Sequence, residues 1–150
     1  MIYKLYKKPV IRVSAATESA GINDVVSDVI RLVRMSRCVP RVKEEAAITL
    51  TMLLLSDPTS STVIDMCQAI VPLLSDKSPK VNQSGVELCA AIGSILPPNE
   101  LEPLQRALNT YDIQQQGTNS LTGEIYARIA RKRPPTLDAT GAVIYGERGR

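Results

Sequence analysis

The sequence predicts an all-α domain, built as a short right-handed stack of helical hairpins with extended N- and C-terminal arms. The first observation is a proline-led helix pattern that occurs twice, 39 residues apart, at Pro40-Arg41-Val42 and at Pro79-Lys80-Val81. The second is that the apolar residues after both prolines keep the same helical spacing. A period of this size is typical of arrays in which helical hairpins stack on one another. The shift superposes Val42 on Val81, Ala46 on Gly85, Leu50 on Cys89, Leu53 on Ile92 and Pro58 on Pro97.

Composition limits the class of protein. A chain of 150 residues with 44% hydrophobic and 22% charged residues fits one ordered domain with a real core. Because the chain has no Phe and no Trp, that core must be largely aliphatic, which suits closely interdigitated helices. The net charge of +3 is uneven, since residues 1–50 hold nine basic and five acidic residues, whereas residues 51–100 hold two and five. A mildly acidic centre between basic ends favours an acidic partner.

The cysteines indicate a core role. Their number, three, is odd, the chain has no His, and no CxxC spacing occurs, so neither a disulfide framework nor a metal site is predicted. Cys67 and Cys89 sit among apolar residues of predicted helices and are interpreted as small core residues, whereas Cys38 falls in a predicted loop. Reduced thiols fit a cytoplasmic location, with the nucleus as the alternative. No signal peptide, membrane helix, cofactor or small-molecule substrate is predicted.

The first predicted segment, residues 1–21, is an extended N-terminal arm followed by a linker. Residues 2–13 are rich in aromatic and β-branched types and are interrupted by Pro9, which favours an extended strand over a helix. Residues 14–21 are mostly small and polar, as in a linker. The arm could pair with a strand of another chain or pack back along its own helices, and both alternatives stay open here.

Four helices are predicted from the two copies of the repeat, each with an apolar face for a core. Asn23 suits the N-cap of the first helix, and Ser78 suits that of the fourth. Pro40 and Pro79 suit the first position of the second and fourth helices, because a proline there loses no hydrogen bond. The predicted ranges are Asn23–Met35, Pro40–Leu55, Thr59–Leu74 and Pro79–Leu96.

Two further helices complete the predicted repeat domain, residues 22–132. Leucines at helical spacing predict a fifth helix at Asn99–Asn109, and a polar loop at Ile113–Asn119 separates it from a sixth at Ser120–Lys132. Residues 133–150 are predicted to form an extended C-terminal tail without regular structure. Val143-Ile144-Tyr145 is an isolated apolar patch in that tail.

The turn before the fourth helix reads Leu73-Leu74-Ser75-Asp76-Lys77-Ser78-Pro79-Lys80-Val81, with Gly85, Leu88 and Ala91 following. This pattern resembles a HEAT repeat. HEAT repeats favour such an acidic turn, followed by a Pro, a Val and a basic or polar pair that open the next helix. The resemblance, to the HEAT/armadillo superfamily, covers residues 22–110 and implies a protein–protein scaffold, in some members one that binds tubulin or nucleic acid. The tubulin-binding members usually present a Trp and basic residues on loops between helices, and this chain has no Trp.

Two clusters of basic residues are the candidate partner-binding sites. One surrounds the turn between the first two predicted helices, and the other ends the sixth helix. An exposed cluster would suit an acidic protein or, at the C-terminal end, nucleic acid or a nuclear-import receptor. The alternative is a solvated surface on which cations are favoured near a helix C-terminus. The first cluster is Arg31, Arg34, Arg37, Arg41 and Lys43, and the second is Arg128, Arg131, Lys132 and Arg133.

No set of catalytic residues is predicted, and the chain is not expected to be an enzyme. Without His, no Ser/His/Asp or Cys/His site can form. Neither a P-loop sequence nor GxGxxG is present to hold a phosphate. Glu44-Glu45 is interpreted as a solvated helix start, because adjacent helical residues point in different directions.

The predicted function is a non-enzymatic scaffold or adaptor that binds a protein partner through its helical-repeat surface. Its groove is expected between the alternate helices Asn23–Met35 and Thr59–Leu74, or between the helices that pair with them. Two alternatives stay open. One is binding of an acidic polymer, meaning nucleic acid or a microtubule surface, and the other is a structural subunit whose terminal arms join copies into an oligomer.

Overall fold

The computed structural model describes residues 22–35, 39–58, 60–116 and 120–145. The N-terminal arm predicted at 1–21, Arg37, Cys38 and the polar residues 117–119 lie outside this part of the chain. The described helices are α1 (Ile22–Arg34), α2 (Pro40–Ser56), α3 (Ser60–Met66), α4 (Ile70–Leu74), α5 (Pro79–Ile95), α6 (Glu102–Gln115) and α7 (Thr122–Ala130). The described strands are β1 (Thr136–Leu137) and β2 (Val143–Ile144).

The two proline-led helices form where the sequence predicts them. α2 begins at Pro40 and α5 begins at Pro79, in each case after a residue with extended backbone. Ser78 occupies the predicted N-cap position, but its side chain makes no capping hydrogen bond. Its backbone N–H instead donates to Asp76 Oδ2 at 3.0 Å, so the preceding turn and not a serine hydroxyl fixes the start of α5.

The single helix predicted at 59–74 is two α-helices joined by a 3₁₀ turn at Cys67–Ala69. Pro72 explains the break. It lacks the N–H that would bond to the carbonyl of Gln68, and in a regular α-helix its ring would clash with that carbonyl. Gln68 lies inside the 3₁₀ turn, so the departure from α-helix falls where the proline requires it.

The bounds predicted for the last two helices are corrected. α6 extends to Gln115, because Tyr111, only 1% exposed, anchors the polar end of the helix in the core. Ile113 is therefore helical, and Gln116 ends the helix with a left-handed backbone at φ 53°. The N–H of Gln116 donates to the carbonyl of Asp112 at 3.1 Å, which satisfies part of the helix terminus. α7 is shorter than predicted at both ends.

Successive helices alternate between two layers. We call the layer of α1, α3–α4 and α6 the A layer, and the layer of α2, α5 and α7 the B layer. The most extensive packing between any two elements joins α2 and α5, the two copies of the proline-led helix. Each A-layer helix leads through a turn to a B-layer helix, so the described chain is a stack of three helical hairpins. The predicted all-α helical-hairpin stack is confirmed.

The main core lies between the two layers, and α5 crosses its centre. Residues 83–92 of α5 are all buried, because α2 and α7 flank this helix and α4 packs against it. The core is aliphatic, as the composition requires, with Tyr111 as its aromatic member. Cys67 and Cys89 are buried in it, which agrees with their interpretation as small core residues.

Two glycines allow close packing of α5. A Cβ on Gly85 would lie 2.9 Å from Leu73 Cβ of α4, inside normal contact distance. A Cβ on Gly93 would collide with the side chain of Ile129 on α7. Because glycine has only a hydrogen atom in place of Cβ, α4 and α7 can approach α5 closely at these two positions.

The C-terminal tail contains regular structure, contrary to the prediction for residues 133–150. β1 and β2 form an antiparallel pair in which Leu137 faces Val143. Val143 and Tyr145 are 1% and 3% exposed and pack against Ile48 of α2 in a small second cluster. The apolar patch of the tail therefore attaches the hairpin to the B layer, because leaving it in water would be unfavourable.

Candidate protein-binding surface

The described helix ends that lead from the A layer to the B layer lie along one side of the stack, which we call the turn edge. Lys43, at the start of α2, lies 3.0 Å from Asp76 in the turn before α5. That turn approaches α6 in the same way, since Ser75 Oγ is 3.5 Å from Gln114 Oε1. The start of α2, the turn before α5 and the end of α6 are thereby brought side by side, although they are far apart in sequence.

Asp76 and Asn82 make the second turn rigid. The Asn82 amide donates to the carbonyls of Leu73, Leu74 and Asp76, at 3.0, 3.1 and 2.9 Å. These bonds supply hydrogen-bond partners at the end of α4, where the helix leaves carbonyls without intrahelical bonds. Partial burial by itself would raise the pKa of Asp76. The hydrogen bond from the Ser78 backbone and the contact with Lys43 outweigh it, so the pKa lies below its ordinary value.

The first predicted basic cluster is only partly a surface cluster. Arg31, Arg34 and Arg41 are exposed, and their contacts are long: 3.6 Å to Asp28, 3.4 Å to Gln68 and 3.7 Å to Glu45 respectively. Contacts of this kind contribute little to stability and leave the guanidinium groups available. The Lys43 side chain is only 12% exposed and is engaged with Asp76, so it holds two hairpins together. Arg37 lies outside the described residues.

A groove of about 350 Å³ lies between α1 and α3, where the sequence predicts one between alternate helices. Its lining mixes two cations, one carboxylate, two neutral polar side chains and one apolar side chain. The mixture gives the groove no single sign of charge, so it is less suited to an acidic partner than the turn edge. The lining residues are Ser27, Ile30, Arg31, Arg34, Asp65 and Gln68.

The turn edge carries four exposed residues that the sequence analysis did not select. Lys77 and Lys80 extend the basic surface from the first turn to the second. Met35 and Val39, on either side of the first turn, are 49% and 57% exposed. One signal for Lys80 was in the sequence, because the 39-residue shift superposes Arg41 on it. An apolar pair bordered by arginines is the composition typical of an interface centre.

The second predicted basic cluster is divided by the fold. Arg128 is 1% exposed, so it cannot meet a partner, and its assignment as a partner-binding residue is corrected. Its guanidinium forms two bonds to the buried Glu87 carboxylate of α5, at 2.5 and 2.8 Å. Nε and Nη2 also donate to the carbonyl of Arg133, at 3.0 and 2.8 Å. Gln83 donates to the same carboxylate at 2.7 Å.

Arg131, Lys132 and Arg133 are exposed beyond the end of α7. α7 begins at the turn edge, because Ser120 and Thr122 both donate to Asp112 at the end of α6. The helix then runs away from that edge, and it carries these three residues with it. The two predicted basic clusters therefore lie at different places on the molecule, one around the first turn and the other beyond the far end of α7.

The two described cysteines, Cys67 and Cys89, are not suited to thiol chemistry. Burial raises the pKa of Cys67 to about 11, with a smaller contribution from Asp65, and burial raises the pKa of Cys89 still further. Thiols held in this way stay protonated and are poor nucleophiles. Among the described residues, no group of His, Cys, Asp or Glu is arranged to hold a metal ion. The same part of the chain has no helix that is both long and apolar enough to cross a membrane.

Comparison with known proteins gives a likeness of fold. No family model matches the sequence, and neither does any curated protein. A solved structure of crescerin, described as using a TOG domain array to regulate microtubules in the primary cilium, is similar to this chain with a TM-score of 0.73 and 23% identity. The match covers 90% of this chain and 53% of the crescerin chain, so this chain spans about half the length of that structure. With its alternating layers and proline-led helices, the chain has the HEAT-type helical-repeat fold that TOG domains also have.

Proposed function

We propose that this protein is a non-enzymatic scaffold that binds an acidic protein surface through its turn edge. The observation that carries the proposal is the exposed pair Met35 and Val39, bordered by Arg34 and Arg41. An apolar centre supplies binding energy, and the surrounding cations supply orientation and a faster encounter with an acidic surface. Lys77 and Lys80 continue the same charge along the next turn.

Tubulin is the first partner to test. Crescerin is described as regulating microtubules, and the fold of its solved structure is similar to that of this chain. A cytoplasmic location is part of this proposal. The chain has no Trp for the first turn, so Met35 and Val39 are the proposed apolar contacts there. Truncation of such residues at the centre of an interface typically costs more than 1 kcal/mol of binding energy.

The test compares charge reversal on the two separate basic surfaces. Arg41→Glu with Lys80→Glu should weaken binding to purified tubulin by at least about tenfold, because two attractive contacts become repulsive. Arg131→Glu with Lys132→Glu makes the same change in net charge away from the turn edge and should leave the affinity close to that of the wild type. Fluorescence anisotropy at two salt concentrations would measure both, with circular dichroism to verify folding.

The same two double variants also test the alternative function, which is nucleic-acid binding. Nucleic-acid binding through the C-terminal cluster predicts that the Arg131 and Lys132 reversals weaken binding to a DNA duplex, with a steep dependence on salt. If the turn-edge reversals leave tubulin binding unchanged, or if tubulin does not bind at all, tubulin recognition at the turn edge is wrong.

A further inference from the structure

The C-terminal hairpin covers an apolar part of the B layer. Ile48 and Met52, one turn apart on α2, face the hairpin and pack against Val143 and Tyr145. Under the 39-residue shift Ile48 corresponds to Glu87, which is covered by Arg128 of α7. The same position of two successive B-layer helices is thus covered by a helix in one case and by the hairpin in the other.

The hairpin is held together largely by its own turn. The Asp138 carboxylate accepts hydrogen bonds from Thr140 N–H, Thr140 Oγ1 and Ala142 N–H, at 2.8, 2.7 and 2.9 Å. Gly141 takes a left-handed backbone at φ 84°, and its N–H donates to the carbonyl of Asp138 at 3.1 Å. The hydrogen bonds that shape this turn therefore all lie within the hairpin.

The apolar attachment of the hairpin to α2 is distinct from the main core. Ile48, Val143 and Tyr145 form a separate buried cluster, and Met52 packs against both this cluster and the main core. Before the hairpin, Arg128 fixes the carbonyl of Arg133, and two prolines follow. Separating the hairpin from α2 would leave the pairing of Arg128 with Glu87 and Arg133 in place.

We propose that residues 135–145 are a detachable strap, which opens as a unit while the helices stay folded and uncovers Ile48 and Met52. The uncovered surface is a docking site for this hairpin sequence alone, which occupies it within the chain when the strap is closed and from a second copy when it is open. This inference is independent of the proposed function, because the surface lies on α2 behind the hairpin and not on the turn edge.

Hydrogen exchange of the full chain tests whether the strap opens separately. Amides of residues 136–145 should be at least about 100-fold less protected than those of α5, and their exchange should respond weakly to low urea, because the opening is local. Equal protection of the hairpin and α5, with the same dependence on urea, would mean that the hairpin unfolds only with the whole domain, and the proposal would be wrong.

A binding experiment tests the uncovered surface. Val143→Asp in the full chain should release the strap, because a carboxylate cannot stay in the cluster with Ile48. A labelled peptide of residues 134–145 should then bind Val143→Asp at least about tenfold more tightly than the wild type, whose site is occupied. Ile113→Asp is the control, since this residue is 76% exposed on α6 and the substitution should not create binding.

Each result of the binding experiment either supports or overturns the proposal. Peptide binding to Val143→Asp that is lost again when Ile48→Asp is added supports the strap and its docking site. A folded Val143→Asp chain that fails to bind the peptide overturns the docking site. If Val143→Asp unfolds the helices, the hairpin is an integral part of the core, and the strap is overturned as well.

Discussion

At the scale of single residues, the buried ion pair of Glu87 and Arg128 matters most for the stability of the fold. Glu87 and Arg128 are 0% and 1% exposed, so both charges are removed from water. The fold tolerates this burial because the Arg128 guanidinium donates hydrogen bonds both to the Glu87 carboxylate and to the carbonyl of Arg133. The sequence indicates Arg128 only as one of several cations at a helix end. The position of Glu87 among apolar residues of α5 was the sequence signal that a cation would have to be buried beside it in the core.

Replacing Arg128 by Met should destabilise the chain strongly, because it leaves Glu87 buried without its cation. Loss of one partner of a buried pair typically costs ~3–5 kcal/mol, which urea unfolding monitored by circular dichroism would measure. Adding Glu87→Leu to Arg128→Met should recover much of the loss, since both charges are then gone. A single variant as stable as the wild type would contradict this account of the pair.

At the scale of elements, the packing of α5 against α7 depends on residues that the repeat pattern does not mark. The sequence predicts the starts of α2 and α5 from their prolines, and the structure agrees. It does not predict the approach of α7, because Gly93 and Ile129 lie 36 positions apart and show their relation only when packed. Pro72 was a readable signal for the break between α3 and α4, because proline removes a helical hydrogen bond wherever it falls inside a helix.

Gly93→Ala should destabilise the chain by about 1–3 kcal/mol, because the added methyl group overlaps the Ile129 side chain. Gly93→Ala combined with Ile129→Val, which removes a methyl group, should be less affected than the sum of the two single variants. Thermal unfolding of the four proteins gives this coupling directly. Additive effects would mean that the two positions do not touch, contrary to the packing described here.

At the scale of the whole molecule, contacts between hairpins hold the stack together. Lys43 and Asp76 join the first hairpin to the second, and Glu87 and Arg128 join the second to the third. Repeat proteins gain stability from such neighbouring contacts, since a single hairpin cannot bury its own apolar face. A pH-dependent group in one of these contacts therefore affects the cohesion of the array.

Acid should weaken the stack through Asp76. Its pKa in the folded chain is lowered, so its contribution is present above the unfolded value of about 3.9 and is lost as the pH falls through the folded value. The urea midpoint of the wild type should fall from pH 5 to pH 3 more steeply than that of Asp76→Asn. Lys43→Met should flatten the same dependence, because it removes the cation that stabilises the carboxylate. A wild-type curve parallel to both variants would contradict the assignment.

The sequence by itself determined the helical class, the repeat period and the places where α2 and α5 begin, because these depend on local spacing and on proline geometry. It also indicated Arg31, Arg34 and Arg41 as exposed cations, which the structure describes as exposed. Only the tertiary structure separated the two basic clusters, buried Arg128 and brought the turn that carries Lys77 beside the start of α2. It also placed residues 136–145 on α2. Whether a residue is buried, and which residues lie next to it, depends on which helices pack together. That packing is determined jointly by residues far apart in sequence.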